Sequence, residues 1–252
     1  MAAALEGEVG PAPAAVVFDP PLIPGTLIRR YQRFLADVAL EGSQDVVTAH
    51  CPNSGSMLSV SAPGSPVWLS PADAPGRRLR YTWELVGVNG TLVGINTGRP
   101  NRIAAAAIAA GRIPELAGYP MIRREVRVGR NSRIDLMLEA PDRPPCYVEV
   151  KNVTLRRGQD GAPVEFPDAV TARGAKHLQE LASLAGTGAR AVMLYLAQRD
   201  DADAFAIAAD IDPEYQAGLD AAMAAGVEAL CYRCRITTSD IALADRLPLR
   251  FP

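Results

Sequence analysis

The segment Ser132-Arg133-Ile134-Asp135-Leu136-Met137-Leu138, followed by Tyr147-Val148-Glu149-Val150-Lys151, constrains the fold of this chain more than any other. Apolar and polar residues alternate through both stretches, which is the period of a strand with one buried face. Ile134, Leu136, Leu138, Val148 and Val150 are expected to pack inward, leaving Asp135, Glu149 and Lys151 together on the opposite side. Pro141-Asp142-Arg143-Pro144-Pro145 reads as the turn between the two strands.

Two carboxylates at this spacing suit a hard cation. Mg²⁺ takes oxygen ligands and is commonly held by one or two carboxylates together with substrate phosphate. Asp135, Glu149 and the Val150 carbonyl are the expected ligands of a Mg²⁺ or Mn²⁺ ion. Such an ion polarises a phosphoryl oxygen and activates water, and Lys151 is placed to orient that water or to neutralise charge on phosphate. The same residues also suit a plain surface hairpin whose solvated ion pair is worth well under about 1 kcal/mol. The surrounding elements decide between these readings.

At 252 residues the chain is long enough for one large domain or two smaller ones. With 48% hydrophobic and 21% charged residues it has the balance of a soluble globular protein. It has no apolar run long enough for a membrane helix, and Met-Ala-Ala-Ala-Leu-Glu-Gly-Glu lacks the basic start and apolar core of a signal peptide. A cytoplasmic location without membrane association is expected. The net charge of -2 means that contact with nucleic acid depends on local basic patches.

Such patches are present. Arg29, Arg30 and Arg33 lie close together, as do Arg77, Arg78 and Arg80, then Arg123, Arg124, Arg127, Arg130 and Arg133, and last Arg156 and Arg157. Guanidinium forks match phosphate oxygens bidentately, so arginines around a carboxylate pair suit a polyanion. Arg29, Arg30, Arg33, Arg133 and Lys176 are the expected nucleic-acid contacts. Cys231-Tyr232-Arg233-Cys234 has the spacing of a zinc half-site but no second pair to complete it. On a terminal strand Cys231 and Cys234 fall on opposite faces, and disulfides are not expected in a reducing compartment.

Two domains are expected, residues 1–90 and 91–252. Val16-Val17-Phe18, Asp45 to Ala49, Val67-Trp68-Leu69 and Leu79 to Leu85 read as short strands separated by turns, and fit an OB-like barrel. Trp68, Tyr81 and Trp83 suit either base stacking or the barrel core. From Pro100 the period changes. Asn101 to Ala110 reads as a helix ending near Gly111, followed by a strand at Ile122–Val128 with Glu125 and Arg127 on one face. After the carboxylate hairpin, Asp168 is a candidate cap for a helix from Ala169 to about Leu184 that buries Ala172, Ala175, Leu178 and Leu181. Ala191 to Leu196 is a buried central strand, and a helix near Pro213–Ala225 and a strand at Val227–Tyr232 complete the order.

Helix, three strands, helix, strand, helix, strand is the core layout of the PD-(D/E)xK nuclease superfamily. In that layout the motif reads Asp135 and Glu149-Val150-Lys151, and the following helix turns Thr171, Arg173, Lys176 and His177 toward the site. Arg173 and His177 are expected to contact the scissile phosphate, and Glu125 to add a carboxylate facing Asp135. The fold class is thus α/β (α+β), an OB-like barrel plus a mixed sheet flanked by helices.

Several long segments also match one family. They include Leu27 to Val38, His50-Cys51-Pro52-Asn53-Ser54-Gly55-Ser56-Met57, Gly94-Ile95-Asn96-Thr97 with Pro100-Asn101, Ser132 to Asp135, Tyr147 to Leu155, Phe166 to Leu178 and Gly226-Val227-Glu228. Through these the chain resembles the sugar fermentation stimulation protein family, SfsA, almost from end to end. The resemblance implies an OB-like domain before a PD-(D/E)xK nuclease-like one. It also implies DNA binding and a role in regulating sugar (maltose-type) catabolism genes. The family's Thr-Glu-Arg-Gly stands here as Thr171-Ala172-Arg173-Gly174, which removes a carboxylate from the helix and leaves the hairpin acids in place.

Three functional classes follow. The first is a Mg²⁺- or Mn²⁺-dependent nuclease acting on DNA, with RNA as a further substrate class, favoured because a regulator has no need of an intact Asp135-Glu149-Lys151 set. The second is a DNA-binding regulator without significant cleavage, and the third a small-molecule or protein-binding module. No Gly-x-Gly-x-x-Gly or Walker-type loop supports a nucleotide cofactor. The oligomeric state is open, a homodimer among the alternatives.

Overall fold

The computed structural model describes residues 15–72, 76–129, 132–158 and 161–251, so Arg130 of the third basic cluster lies outside the described residues. In chain order the first elements are β1 (Ala15–Val17), β2 (Ile23–Tyr31), β3 (Leu35–Leu40), β4 (Val46–His50), β5 (Pro66–Pro71), β6 (Tyr81–Val88) and β7 (Thr91–Gly94). Next come α1 (Pro100–Ala109), a 3-10 turn at Pro114–Leu116, β8 (Met121–Val128), β9 (Ser132–Ala140), β10 (Arg143–Val153), β11 (Leu155–Arg156) and β12 (Val164–Phe166). The chain finishes with α2 (Ala172–Gly186), β13 (Arg190–Ala197), β14 (Phe205–Ile207), α3 (Pro213–Ala224), β15 (Glu228–Ile236) and β16 (Asp240–Arg246).

Alternating inward residues close the first unit into a barrel. Strands run in the order β4-β3-β2-β5-β6-β7, and β4 returns to β6 through His50 and Thr82. Strands β2 to β6 therefore form the closed OB barrel, with β7 appended to β6. Leu27, Ala36, Val38, Ala49, Val67, Leu69 and Trp83 fill it. Trp83 is fully buried and its indole Nε1–H donates to the Leu85 carbonyl at 2.8 Å, so it serves the core and not base stacking. Trp68 and Tyr81 are partly buried against the cores as well. One expected barrel strand lies elsewhere: β1 pairs antiparallel with β16 in the other sheet. At the other end β7 carries the barrel past residue 90.

The larger sheet has seven strands in the order β1-β16-β15-β13-β10-β9-β8, of which β10, β13 and β15 are parallel. A central parallel strand is covered on both faces and reads as a continuous apolar run, and Ala191 to Ala197 of β13 is buried throughout. α1 covers one face, setting Ile103, Ala104, Ala107 and Ile108 against Leu136, Val148 and Leu194. α2 and α3 cover the other, packing Leu178, Leu181, Tyr215 and Leu219 with Met193 and Tyr195. Among the described residues no helix is long and apolar enough to cross a membrane.

Local differences from the sequence expectation have simple causes. α2 begins at Ala172, and its cap is Thr171, whose Oγ1 accepts from the Gly174 N–H at 3.1 Å. Asp168 is drawn away to the barrel, and Ala172 is exposed rather than packed. The terminal strand is followed by a further one, β16. Cys231 and Cys234 are both buried and belong to different core clusters, one on each face of the sheet, so they do not chelate together. Burial pushes both thiols well above their ordinary pKa.

A buried carboxylate joins the two units. Glu84 on β6 accepts from Arg99 at 2.6 and 2.9 Å, Ser70 at 2.8 Å and Asn96 at 2.9 Å, and is 2% exposed. Arg99 immediately precedes α1, so the pair fixes where that helix starts relative to the barrel. Gly94 lets β7 approach still closer, since a Cβ there would lie 2.7 Å from Gln198 Oε1. Removing one partner of a buried ion pair leaves an uncompensated charge. Arg99→Met should therefore lower the unfolding free energy in urea by about 3–5 kcal/mol. Adding Glu84→Gln to that variant should recover part of the loss.

Candidate functional site

The site begins where β9 and β10 stop pairing. Their register runs through Cys146↔Leu138 and Tyr147↔Met137 to Val148↔Leu136 and goes no further. Beyond that point the Val150 N–H needs another acceptor, and it donates to Asp135 Oδ2 at 2.8 Å. Asn101 Nδ2 donates to Oδ1 of the same carboxylate at 2.7 Å. Asp135 is thus held between the divergence of two strands and the first turn of α1. In the sequence Asn101 stands at the start of the expected helix and in a matching segment, with nothing to mark it as a partner of Asp135. Its role as the clamp on Asp135 depends on how α1 packs.

Glu149 points to the α2 side. Its Oε1 accepts from Lys151 Nζ at 2.6 Å and is paired with His177 Nδ1. Lys151 Nζ lies 3.2 Å from that same Nδ1, and Arg173 Nε donates to His177 Nε2 at 3.4 Å. His177, expected to contact phosphate, is buried and engaged with Glu149, whose carboxylate it orients. Arg173, one helical turn earlier, is exposed.

The electrostatics of the two acids differ. Burial, and next the negative charge of Glu149, push the Asp135 carboxyl up to about 6. Burial also pushes Glu149 up, but the His177 hydrogen bond and the Lys151 charge outweigh it and leave this carboxyl below its ordinary value. Glu149 is therefore an anion, and its Oε2 is buried with no hydrogen-bond partner among the described residues. An unsatisfied buried carboxylate oxygen is costly, and a cation shared with Asp135 would relieve both features at once. The donors are hard oxygens, which fits Mg²⁺ or Mn²⁺.

No group of three or more His, Cys, Asp or Glu side chains suited to a metal occurs among the described residues. The site offers two carboxylates, with Val150 joined to one of them through its N–H. Glu125 does not add a third: the β8–β9 register runs from Arg124↔Leu136 to Val126↔Ile134 and passes over Glu125, whose backbone turns to φ +52 and whose side chain is exposed.

Two clefts adjoin the site, one lined in part by His177 and the other by Lys151. One, of about 770 Å³, is lined by Glu125, Arg127, Arg133, Arg173, Lys176 and His177. This gathers Arg133 and Lys176, both expected to meet nucleic acid, in one cleft with His177, the partner of Glu149. The other, of about 380 Å³, lies between the barrel loop Asn53-Ser54-Gly55 and the segment Phe166 to Thr171, with Val150 and Lys151 in its wall. The barrel arginines behave differently. Arg30 donates to the Asn53 and Gly55 carbonyls at 2.9 and 3.0 Å and so supports that loop. Arg29 pairs with Asp37 at 2.8 Å, and Arg33 is exposed at the β2–β3 turn. Arg156 pairs with Asp201, and Arg157 with Glu165 and Asp210, so these basic residues knit loops together.

Comparison with known proteins agrees with this architecture. Residues 28–95 match the SfsA N-terminal OB domain, and residues 98–240 match the sugar fermentation stimulation protein RE domain. A sugar fermentation stimulation protein homolog of Rhodospirillum centenum is 60% identical over 232 residues, covering 92% of this chain and 98% of that one. Its counterpart in Rhodospirillum rubrum is 57% identical over 230 residues, covering 88% and 93%. The structure of Pyrococcus furiosus SfsA in complex with Ca²⁺ superimposes with a TM-score of 0.83 at 27% identity, covering 94% of this chain and 100% of that one. The matched domains, the relatives and the shared fold span nearly the whole sequence, and the chain belongs to the sugar fermentation stimulation protein family, SfsA.

Proposed function

We propose that this protein is a metal-dependent nuclease that hydrolyses phosphodiester bonds in DNA or RNA. The observation that carries the reading is the Glu149 carboxylate, held as an anion beside Asp135 and Lys151 with one buried oxygen that has no partner among the described residues. Asp135, Glu149 and the Val150 carbonyl would hold the ion. A bound Mg²⁺ or Mn²⁺ supplies Lewis acidity toward phosphate and lowers the pKa of water. The Ca²⁺ in complex with Pyrococcus furiosus SfsA is a cation of the same oxygen-seeking kind.

The protein's own groups do the remaining work. Lys151 is fixed by Glu149, and its ammonium offsets negative charge at the site while keeping donors for water or phosphate. His177 holds Glu149 in one orientation from α2. Asn101 and the Val150 N–H do the same for Asp135. Arg127, Arg133, Arg173 and Lys176 give the adjoining cleft the charge to bind a phosphate backbone. The OB barrel is a fold frequently used on oligonucleotides.

The direct test incubates purified protein with labelled single-stranded and duplex DNA and RNA in Mg²⁺, Mn²⁺ or EDTA. Wild type should cleave only with metal, and Lys151→Ala should lose about 10²-fold or more in rate. Absence of metal-dependent cleavage on every substrate would overturn the proposal. Binding without cleavage would instead favour a DNA-binding regulator.

A second prediction concerns pH. Protons compete with cations for carboxylates, and Asp135 takes up its proton near pH 6. Mn²⁺ affinity measured by calorimetry should weaken as pH falls below about 6, by up to about tenfold per unit, and level off above it. In the metal-free protein Glu149→Gln should move the Asp135 midpoint down, as followed by carboxyl NMR, because a neighbouring negative charge is gone while burial remains.

A further inference from the structure

We propose that the smaller cleft takes a single unstacked nucleobase next to the scissile phosphate, while the larger cleft carries the sugar-phosphate backbone. This inference rests on the nuclease reading of the Asp135-Glu149-Lys151 site and adds what the substrate must present to it.

The two clefts share Arg173 and differ in chemistry. In the larger one, the described lining includes four cations, Arg127, Arg133, Arg173 and Lys176, against one carboxylate, Glu125. A polyanion is attracted there. In the smaller one the cations Lys151 and Arg173 are balanced by Glu165 and Asp168, and Lys151 is already bound to Glu149. Glu165 is neutralised by a two-fold contact with Arg157, whereas the Asp168 carboxylate accepts only the Met57 N–H among the described residues. A phosphate gains little in that setting.

What the smaller cleft offers is a match for a flat, polar-edged heterocycle. Phe166 contributes an aromatic ring, itself held by Tyr195 and Tyr215 with centroids 5.7 and 5.1 Å away. Pro100 and Pro167, both buried, back the cleft. Asn152 has its Oδ1 occupied by Gln198 Nε2 at 2.7 Å, and its amino group has no partner among the described residues. Stacking on an aromatic ring with hydrogen bonds along one edge is how extruded or unpaired bases are held. Because Val150 and Lys151 belong to the same wall, the base adjoins the reacting phosphate.

The barrel loop that forms the opposite wall is built to stay in place. Asp168 Oδ2 accepts the Met57 N–H at 2.9 Å, the Asp168 carbonyl accepts Ser56 Oγ at 2.5 Å, and Asn53 Nδ2 donates to the Ile95 carbonyl at 3.1 Å. Gly55 permits the approach, since a Cβ there would fall 2.6 Å from Asp168 Oδ2. A wall fixed before binding lowers the cost of ordering on association.

The test measures affinity with EDTA present, so that nothing is cut and the result is independent of catalysis. A labelled single-stranded DNA is compared with a series carrying one abasic site at each successive position. One position should weaken binding about tenfold, the loss of a stacked base, and the others little. Ser54 is exposed in the cleft wall, and Ser54→Trp fills the cleft without touching the core. This variant should bind intact DNA as weakly as wild type binds the sensitive abasic DNA, and show no position dependence. Arg133→Ala should instead weaken every member of the series equally and flatten the salt dependence. A wild-type profile without a sensitive position, sensitivity that survives Ser54→Trp, or no binding of any oligonucleotide would overturn the proposal. Cleavage in the metal assay with a flat abasic profile would reject the base cleft and leave the nuclease reading standing.

Discussion

The divergence of β9 from β10 is the constraint on which the rest of the site depends. When two strands separate, the N–H groups along the split lose their ladder partners and must be satisfied locally. Here the Asp135 carboxylate takes that role for Val150, and Asn101 holds the same carboxylate from α1. Asp135 and Glu149 share one electrostatic environment, in which the charge of Glu149 adds to burial in raising the Asp135 carboxyl. The raised carboxyl of Asp135 and the orphaned oxygen of Glu149 are consequences of that arrangement.

The barrel contributes more than a second binding surface. Glu84 and Arg99 lock its β6 to the start of α1, and the helix in turn presents Asn101. Across the molecule, Asp168 ties the Ser56–Met57 loop to the segment leading into α2. Barrel contacts therefore reach both sides of the carboxylate pair. This explains why arginines near the barrel loop are used for support: Arg30 bonds to two carbonyls of the loop and leaves the wide basic cleft to Arg127, Arg133, Arg173 and Lys176.

Charge is distributed by the same logic. A chain of net charge -2 sets four exposed cations in one cleft and pairs others internally, as with Arg156, Arg157 and Arg199. Composition alone gives only the sum. Which arginines remain available is settled by the acids that the loops bring within reach.

The sequence by itself determined the carboxylate hairpin, most of its apolar residues and the central strand, but not β2, β3, β7 or β16, whose pairings depend on the rest of the fold. Strand period places Asp135 and Glu149-Val150-Lys151 without reference to any other part of the chain, and the apolar run at Ala191–Leu196 identifies the buried core strand. Contacts across long separations were decided only by the tertiary structure. Asn101 meets Asp135 across 34 residues, His177 meets Glu149 across 28, and Asp168 meets Met57 across 111. Local pattern carries no information about such pairs, because each depends on how one element is rotated and packed against another. The placements of β1 in the larger sheet, of Asp168 against the barrel and of Glu125 outside the carboxylate pair share that cause.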